Sequence, residues 1–155
     1  MAIWSALFPD VLPQVPGCPS IIVTHELRRA AQEFFERTRA WRADLAATAV
    51  ATGTSTVTLT PADVEEQAIV RLESAWYDGN RLEVVPASKM DDSFHDDWRS
   101  HTGTPYVATQ LQPGMVRLYP TPVADSVIGL KASVSLKPAN GSTGIPDEIF
   151  AKYHP

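Results

Sequence analysis

Between Thr24 and Leu45 the apolar residues Leu27, Ala30, Ala31, Phe34, Phe35, Trp41 and Leu45 recur at spacings of three and four, with Arg28, Arg29, Gln32, Glu33, Glu36, Arg37 and Arg39 on the opposite side. That period places the apolar set on one stripe of an α-helix. Thr24 suits the N-cap, Glu26 lies near the positive end of the helix dipole, and Glu33 and Arg37 are set for an i,i+4 ion pair. With no Pro or Gly in the run, the spacing predicts one continuous helix over Thr24–Leu45, about 30 Å long. Its two Phe and its Trp each carry roughly 150–250 Å² of surface to be covered.

After Ala46 the alternation becomes that of strands. Thr56, Thr58 and Thr60 alternate with Val57 and Leu59, and Ala68, Val70, Leu72, Ser74 and Trp76 alternate with Ile69, Arg71, Glu73 and Tyr77. Asp78-Gly79-Asn80 supplies hairpin-turn residues, and Leu82 and Val84 resume the pattern. Met90, Phe94 and Trp98 then predict a short helix near residues 88–99, ended by Gly103 and Pro105. Tyr106–Leu111 and Met115–Tyr119 face each other across Pro113-Gly114, and Pro120-Thr121-Pro122 cannot continue a central strand. Along Val127–Lys137 the expected inward residues are Ile128, Leu130, Ala132, Val134 and Leu136, with Lys131, Ser133, Ser135 and Lys137 outward.

The two ends of the chain read differently. Pro9, Pro13, Pro16 and Pro19 make residues 1–23 irregular, although Trp4, Leu7, Phe8, Val11 and Leu12 suffice for one amphipathic turn. Pro146 stands where a helix-opening proline would, with Glu148 in the first turn before Ile149 and Phe150. The expected fold class is therefore α+β: a long N-terminal helix and a short C-terminal helix start, plus an antiparallel β-sandwich or barrel-like module. Residues 1–45, completed by 146–155, form the helical part, and 46–145 the β module.

Composition narrows the function. An apolar fraction of 44% in 155 residues supports a real core. The net charge of −5 argues against a basic nucleic-acid-binding face. No apolar run is long enough to span a membrane, and Met1–Trp4 lacks a signal-peptide start, so a soluble protein made in the cytoplasm is expected. Cys18 is alone, which removes intrachain disulfides and cysteine metal clusters.

The most site-like cluster is Asp91, Asp92, His95, Asp96, Asp97 and His101. Asp91 and His95, four apart, would suit a divalent metal from one helix face, with His101 as a further ligand. The plainer reading is a solvated acidic face opposite Met90, Phe94 and Trp98. His25 reads as a helix-start residue, no nucleophile-elbow motif is present, and Asn140-Gly141-Ser142 reads as a turn. No cofactor and no enzymatic activity are expected.

The order of motifs resembles that of head-to-tail adaptor (connector) proteins of tailed bacteriophages. Pro16-Gly17-Cys18-Pro19 precedes Leu27-Arg28-Arg29-Ala30-Ala31, Glu33-Phe34 and Trp41; Gly103-Thr104-Pro105-Tyr106, Arg117-Leu118-Tyr119-Pro120-Thr121-Pro122, Leu136-Lys137-Pro138 and Ile145-Pro146-Asp147-Glu148 follow in the same order. The resemblance implies a structural virion protein of the head–tail neck. It would form a ring, usually of twelve copies, between the portal protein and the tail or nozzle, and DNA would pass through its bore without sequence-specific binding. Phe35 stands where the family often has Cys. Adaptors of this kind continue past the Pro-Asp-Glu helix start, so either the chain is a fragment or neighbouring subunits replace those helices.

A helix of this length should keep an apolar strip that one subunit does not cover, which makes Phe34, Trp41, Leu45 and Trp4 the expected subunit or partner interface. Two other classes of function compete. One is a monomeric β-sandwich ligand-binding module with Trp76 and Trp98 as stacking platforms; the other is a metal-dependent hydrolase using Asp91, His95 and His101.

Overall fold

The continuous helix expected over Thr24–Leu45 is not found. The computed structural model, which describes residues 1–93 and 97–153, has a 19-residue helix, Ser20–Thr38, as its longest described helix. It begins at Pro19, whose extended backbone serves as N-cap, while Thr24 sits inside it and returns its hydroxyl to the Ser20 carbonyl at 2.9 Å. It ends at Arg39, which takes a left-handed conformation (φ 52°) and donates its N–H to the Phe35 carbonyl at 2.9 Å. The stop has a cause further along the chain. Residues 42–44 form a strand opposite Ser133–Ser135, Leu136 donates its N–H to the Trp41 carbonyl, and Leu45 donates its N–H to the Ala132 carbonyl, each at 2.8 Å. The backbone of this segment is committed to a sheet, and the periodicity of Trp41 and Leu45 does not outweigh that pairing.

In chain order the helices are α1 (Phe8–Val11), α2 (Ser20–Thr38), α3 (Ala87–Ser93) and α4 (Asp147–Tyr153), with 3-10 turns at Trp4–Leu7, Leu12–Gln14 and Trp98–Ser100. The strands are β1 (Ala2–Ile3), β2 (Arg42–Asp44), β3 (Thr48–Val50), β4 (Thr56–Thr58), β5 (Gln67–Tyr77), β6 (Asn80–Val84), β7 (Thr102–Gly103), β8 (Val107–Gln112), β9 (Met115–Tyr119), β10 (Thr121–Pro122), β11 (Ser126–Pro138) and β12 (Gly144–Ile145). The protein is α+β with a curled, half-barrel-like mixed sheet. Two compact units divide the chain: Met1–Trp41 with Asp63–Ala68 and Leu136–Pro155, and Arg42–Ala62 with Ile69–Ser135.

In the second unit the strands run in the order β2-β11-β5-β6-β8-β9-β4, with β3 also on β11. The antiparallel module expected from the alternation is corrected at two places. β6 runs parallel to β8, and β7 parallel to β10. Strands in parallel need a crossover, and the segment from Val85 to Tyr106, which carries α3 and the turn at Trp98, is long enough to make one. Met90 and Trp98 bring that crossover onto the sheet, where they join Val85, Val107 and Tyr119 in one buried cluster. Asp78 and Gly79 both take positive φ between Tyr77 and Asn80, which pair, as a tight hairpin turn requires.

β11 keeps its expected alternation only from Leu130 onward. Leu130, Ala132, Val134 and Leu136 are fully buried, but Ile128 is 65% exposed and Val127 90%. The register opposite β3 slips between Ser126 and Leu130, so two extra residues are extruded as a bulge. Ser135, expected outward, is also buried, and its hydroxyl donates to the Arg71 carbonyl at 3.3 Å.

In the first unit Phe35 is 2% exposed and meets Trp41 edge-on at 5.7 Å between ring centroids, whereas Phe34 is 40% exposed. Phe35→Ala should therefore cost about 3–5 kcal/mol. Phe34→Ala should cost clearly less, and urea unfolding of the two variants checks the order.

Candidate interaction surface

Within the first unit, α2 has two faces with different work. On the polar side Arg28 donates from Nε to the Ser142 carbonyl at 3.1 Å and from its guanidinium to the Asn140 carbonyl at 2.8 Å. One turn on, Gln32 donates to the Pro138 carbonyl at 3.0 Å and to Asn140 Oδ1 at 3.1 Å, and Glu36 pairs with Lys137. These contacts fasten the helix along the end of β11 and the segment that follows it, giving partners to the carbonyls of Pro138, Asn140 and Ser142. Glu66 holds the same segment from another direction, accepting from the Thr143 N–H at 2.8 Å and the Thr143 hydroxyl at 2.7 Å.

On the apolar side Leu27, Ala30, Ala31 and Phe34 line a groove of about 300 Å³ closed by Trp4 and Leu7 from the N-terminal arm and by Ile145, Ile149 and Phe150. The arm, expected to be irregular, is held in place by the β1–β12 pair and by the Trp4 indole, which donates to the Ser142 carbonyl at 2.8 Å. The Met1 ammonium meets Asp147 at 2.6 Å, at the first turn of α4. Ile21 and Ile22 are also exposed on α2. They lie N-terminal to the expected helix start, in a stretch whose prolines masked its helical character.

Of the four residues expected at an interface, Trp4, Trp41 and Leu45 are buried within the single chain, and Phe34 alone remains substantially exposed. Trp41 is 6% exposed because it packs on Phe35 from beyond the helix end. A surface proposal therefore passes to Phe34 and the groove around it.

Asp91, Asp92 and Asp97 are exposed, and Asp91 is tied to the buried Trp98. The Trp98 indole donates to Asp91 at 3.0 Å and Arg99 meets the same carboxylate at 2.8 Å, which together hold Asp91 below the usual carboxylate range. His101 lies between the Tyr119 hydroxyl at 3.1 Å and Asp97 at 3.3 Å, and its backbone N–H donates to the Trp98 carbonyl at 3.3 Å. Burial first, then Tyr106, pushes the Tyr119 hydroxyl above its ordinary range, which disfavours it as a nucleophile. His95, the third member of the metal candidate, lies outside the described residues, as does Phe94. Among the described residues no three His, Cys, Asp or Glu gather as a metal would require. Trp98 is not the open stacking platform expected of a ligand module: it is buried, with Arg99 at 4.4 Å and Arg117 at 5.1 Å over its ring.

The chain is thus an α+β scaffold whose first unit carries an open apolar groove. The model of the SU10 adaptor protein family matches residues 19–154, and the chain belongs to that family, a family of phage head-to-tail adaptors. Comparison with curated proteins returns no match. The family is structural and places the chain among virion components associated with portal and tail proteins. Among the described residues no helix is long and apolar enough to cross a membrane.

The lowered Asp91 carboxylate gives a signed pH effect. A carboxyl whose folded pKa lies below its unfolded value, near 3.9, adds stability above that value and loses it as pH falls through the folded pKa. Asp91→Asn should remove this part of the acid sensitivity. Denaturant unfolding of wild type and variant at neutral and acid pH should show their stabilities converging as the pH falls.

Proposed function

We propose that the protein is a head-to-tail adaptor that assembles as a closed ring of twelve copies between the portal protein and the tail or nozzle of a tailed bacteriophage, with DNA passing through the bore. The observation that carries this reading is family membership over residues 19–154, joined to the open apolar groove beside Phe34. Apolar surface left in water by one subunit favours association, since its burial is worth roughly 25 cal/mol per Å². The net charge of −5 supports the conduit role, because an acidic protein binds phosphate poorly. The ring would be made in the host cytoplasm and retained in the neck of the virion.

The test is mass measurement of the purified chain alone and with purified portal, together with electron microscopy of the parent particle. A twelve-fold ring of this chain between portal and tail is expected. A chain that stays monomeric, never associates with portal and is missing from the neck would overturn the reading.

A further inference from the structure

We propose that neighbouring copies join through two different patches, the Val127–Ile128 tip of one copy seated in the apolar groove of the next. This deepens the adaptor reading and rests on it for the ring that such contacts would close.

The tip is a built feature. Gly129 takes φ +57°, and a Cβ there would lie 1.9 Å from the Thr48 carbonyl oxygen, so only glycine fits under the bulge. The Ser126 hydroxyl accepts the Gly129 N–H at 2.7 Å and contacts the Asp78 carboxylate, and Asp78 returns its own N–H to the Gly129 carbonyl at 3.2 Å. These bonds anchor both ends of a protrusion that holds two branched apolar side chains in water, where continued alternation would have buried one of them. Ile128 borders a shallow pocket beside Trp76 and Lys131, and Val127 stands clear of it with 90% of its surface in water, where a docking partner would cover it.

The groove matches such an occupant in size. Its 300 Å³ is about twice the cavity of ~150 Å³ that admits a benzene-sized group, and it stands at the lower edge of the ~300–1,000 Å³ typical of small-molecule sites. One or two aliphatic side chains fit that space better than a drug-sized ligand.

Charge agrees in sign. Lys131 is exposed just beyond the tip, Glu148 is exposed beside Ile149 of the groove, and neither has an ion pair among the described residues. A contact between two different patches repeats head to tail and closes into a ring when its rotation allows.

The experiment uses the full chain, alone and on purified portal, with sedimentation velocity as the readout of assembly and thermal melting as the readout of folding. Val127→Asp and Ile128→Asp should leave melting unchanged, since both side chains are exposed, and should weaken assembly by about tenfold or more. Lys131→Glu and Glu148→Lys should each weaken it, and the two changes together should restore it. Tip variants that assemble like wild type, or a charge-reversed pair no better than its single variants, would overturn the proposal while leaving the ring intact. Phe34→Asp that loses portal binding but keeps the ring would also overturn it, by assigning the groove to the portal. If wild-type chains stay apart both alone and on portal, the tip contact and the ring fall together.

Discussion

A helix carried on to Leu45 would have left the Arg42–Asp44 backbone bonded to itself and the neighbouring edge of β11 without a partner. The chain resolves this conflict in favour of the sheet. Leu136 and Leu45 donate to Trp41 and Ala132 at either end of the β2 pairing, and Arg39 turns left-handed to let the chain leave the helix. Buried backbone groups need partners, and an unpaired one costs as much as several helix-propensity differences combined. Trp41 then reaches Phe35 from outside the helix, so the aromatic contact survives although the helix does not extend to it.

At the crossover Asp91 has a packing role. Asp91 gives its oxygen to the Trp98 indole and to Arg99, and Arg117 donates to the Arg99 carbonyl at 3.1 Å beneath the same ring system. The arginines thereby cover an indole that would otherwise face water, and the carboxylate orients one of them. The acidic residue here serves to seat a tryptophan.

Local chemistry was the legible part of the fold. Asp78-Gly79 marked its turn because positive φ selects those residues, and β11 from Leu130 onward showed its buried face because a period of two has few other causes. What was not legible depended on distant partners. Trp41 and Leu45 satisfy helical spacing equally well whether or not the helix continues, and only β11 decides. The parallel pairing of β6 with β8 follows from where a crossover lands, which alternation does not encode. Ile128 fits an inward position by count, yet the bulge at Gly129 reverses it. The same limit applies to the surface. Phe34 was legible as an exposed apolar position on α2, while the burial of Trp4, Trp41 and Leu45 comes from the arm, β12 and the sheet.

The groove follows from how α2 is held. Its attachment runs through Arg28, Gln32 and Glu36, spaced four apart, so one face is fixed by hydrogen bonds to residues 137–142. Fixing that face leaves Leu27, Ala30, Ala31 and Phe34 pointing away from it, and the two alanines are too small to fill the space they face. The arm and α4 close the sides, but Phe34 keeps 40% of its surface in water. A helix packed by its apolar stripe would have had no such surface to offer. By anchoring α2 through polar contacts to carbonyls, the fold holds an apolar groove open without sacrificing the helix's attachment, and that is the property an assembly surface needs.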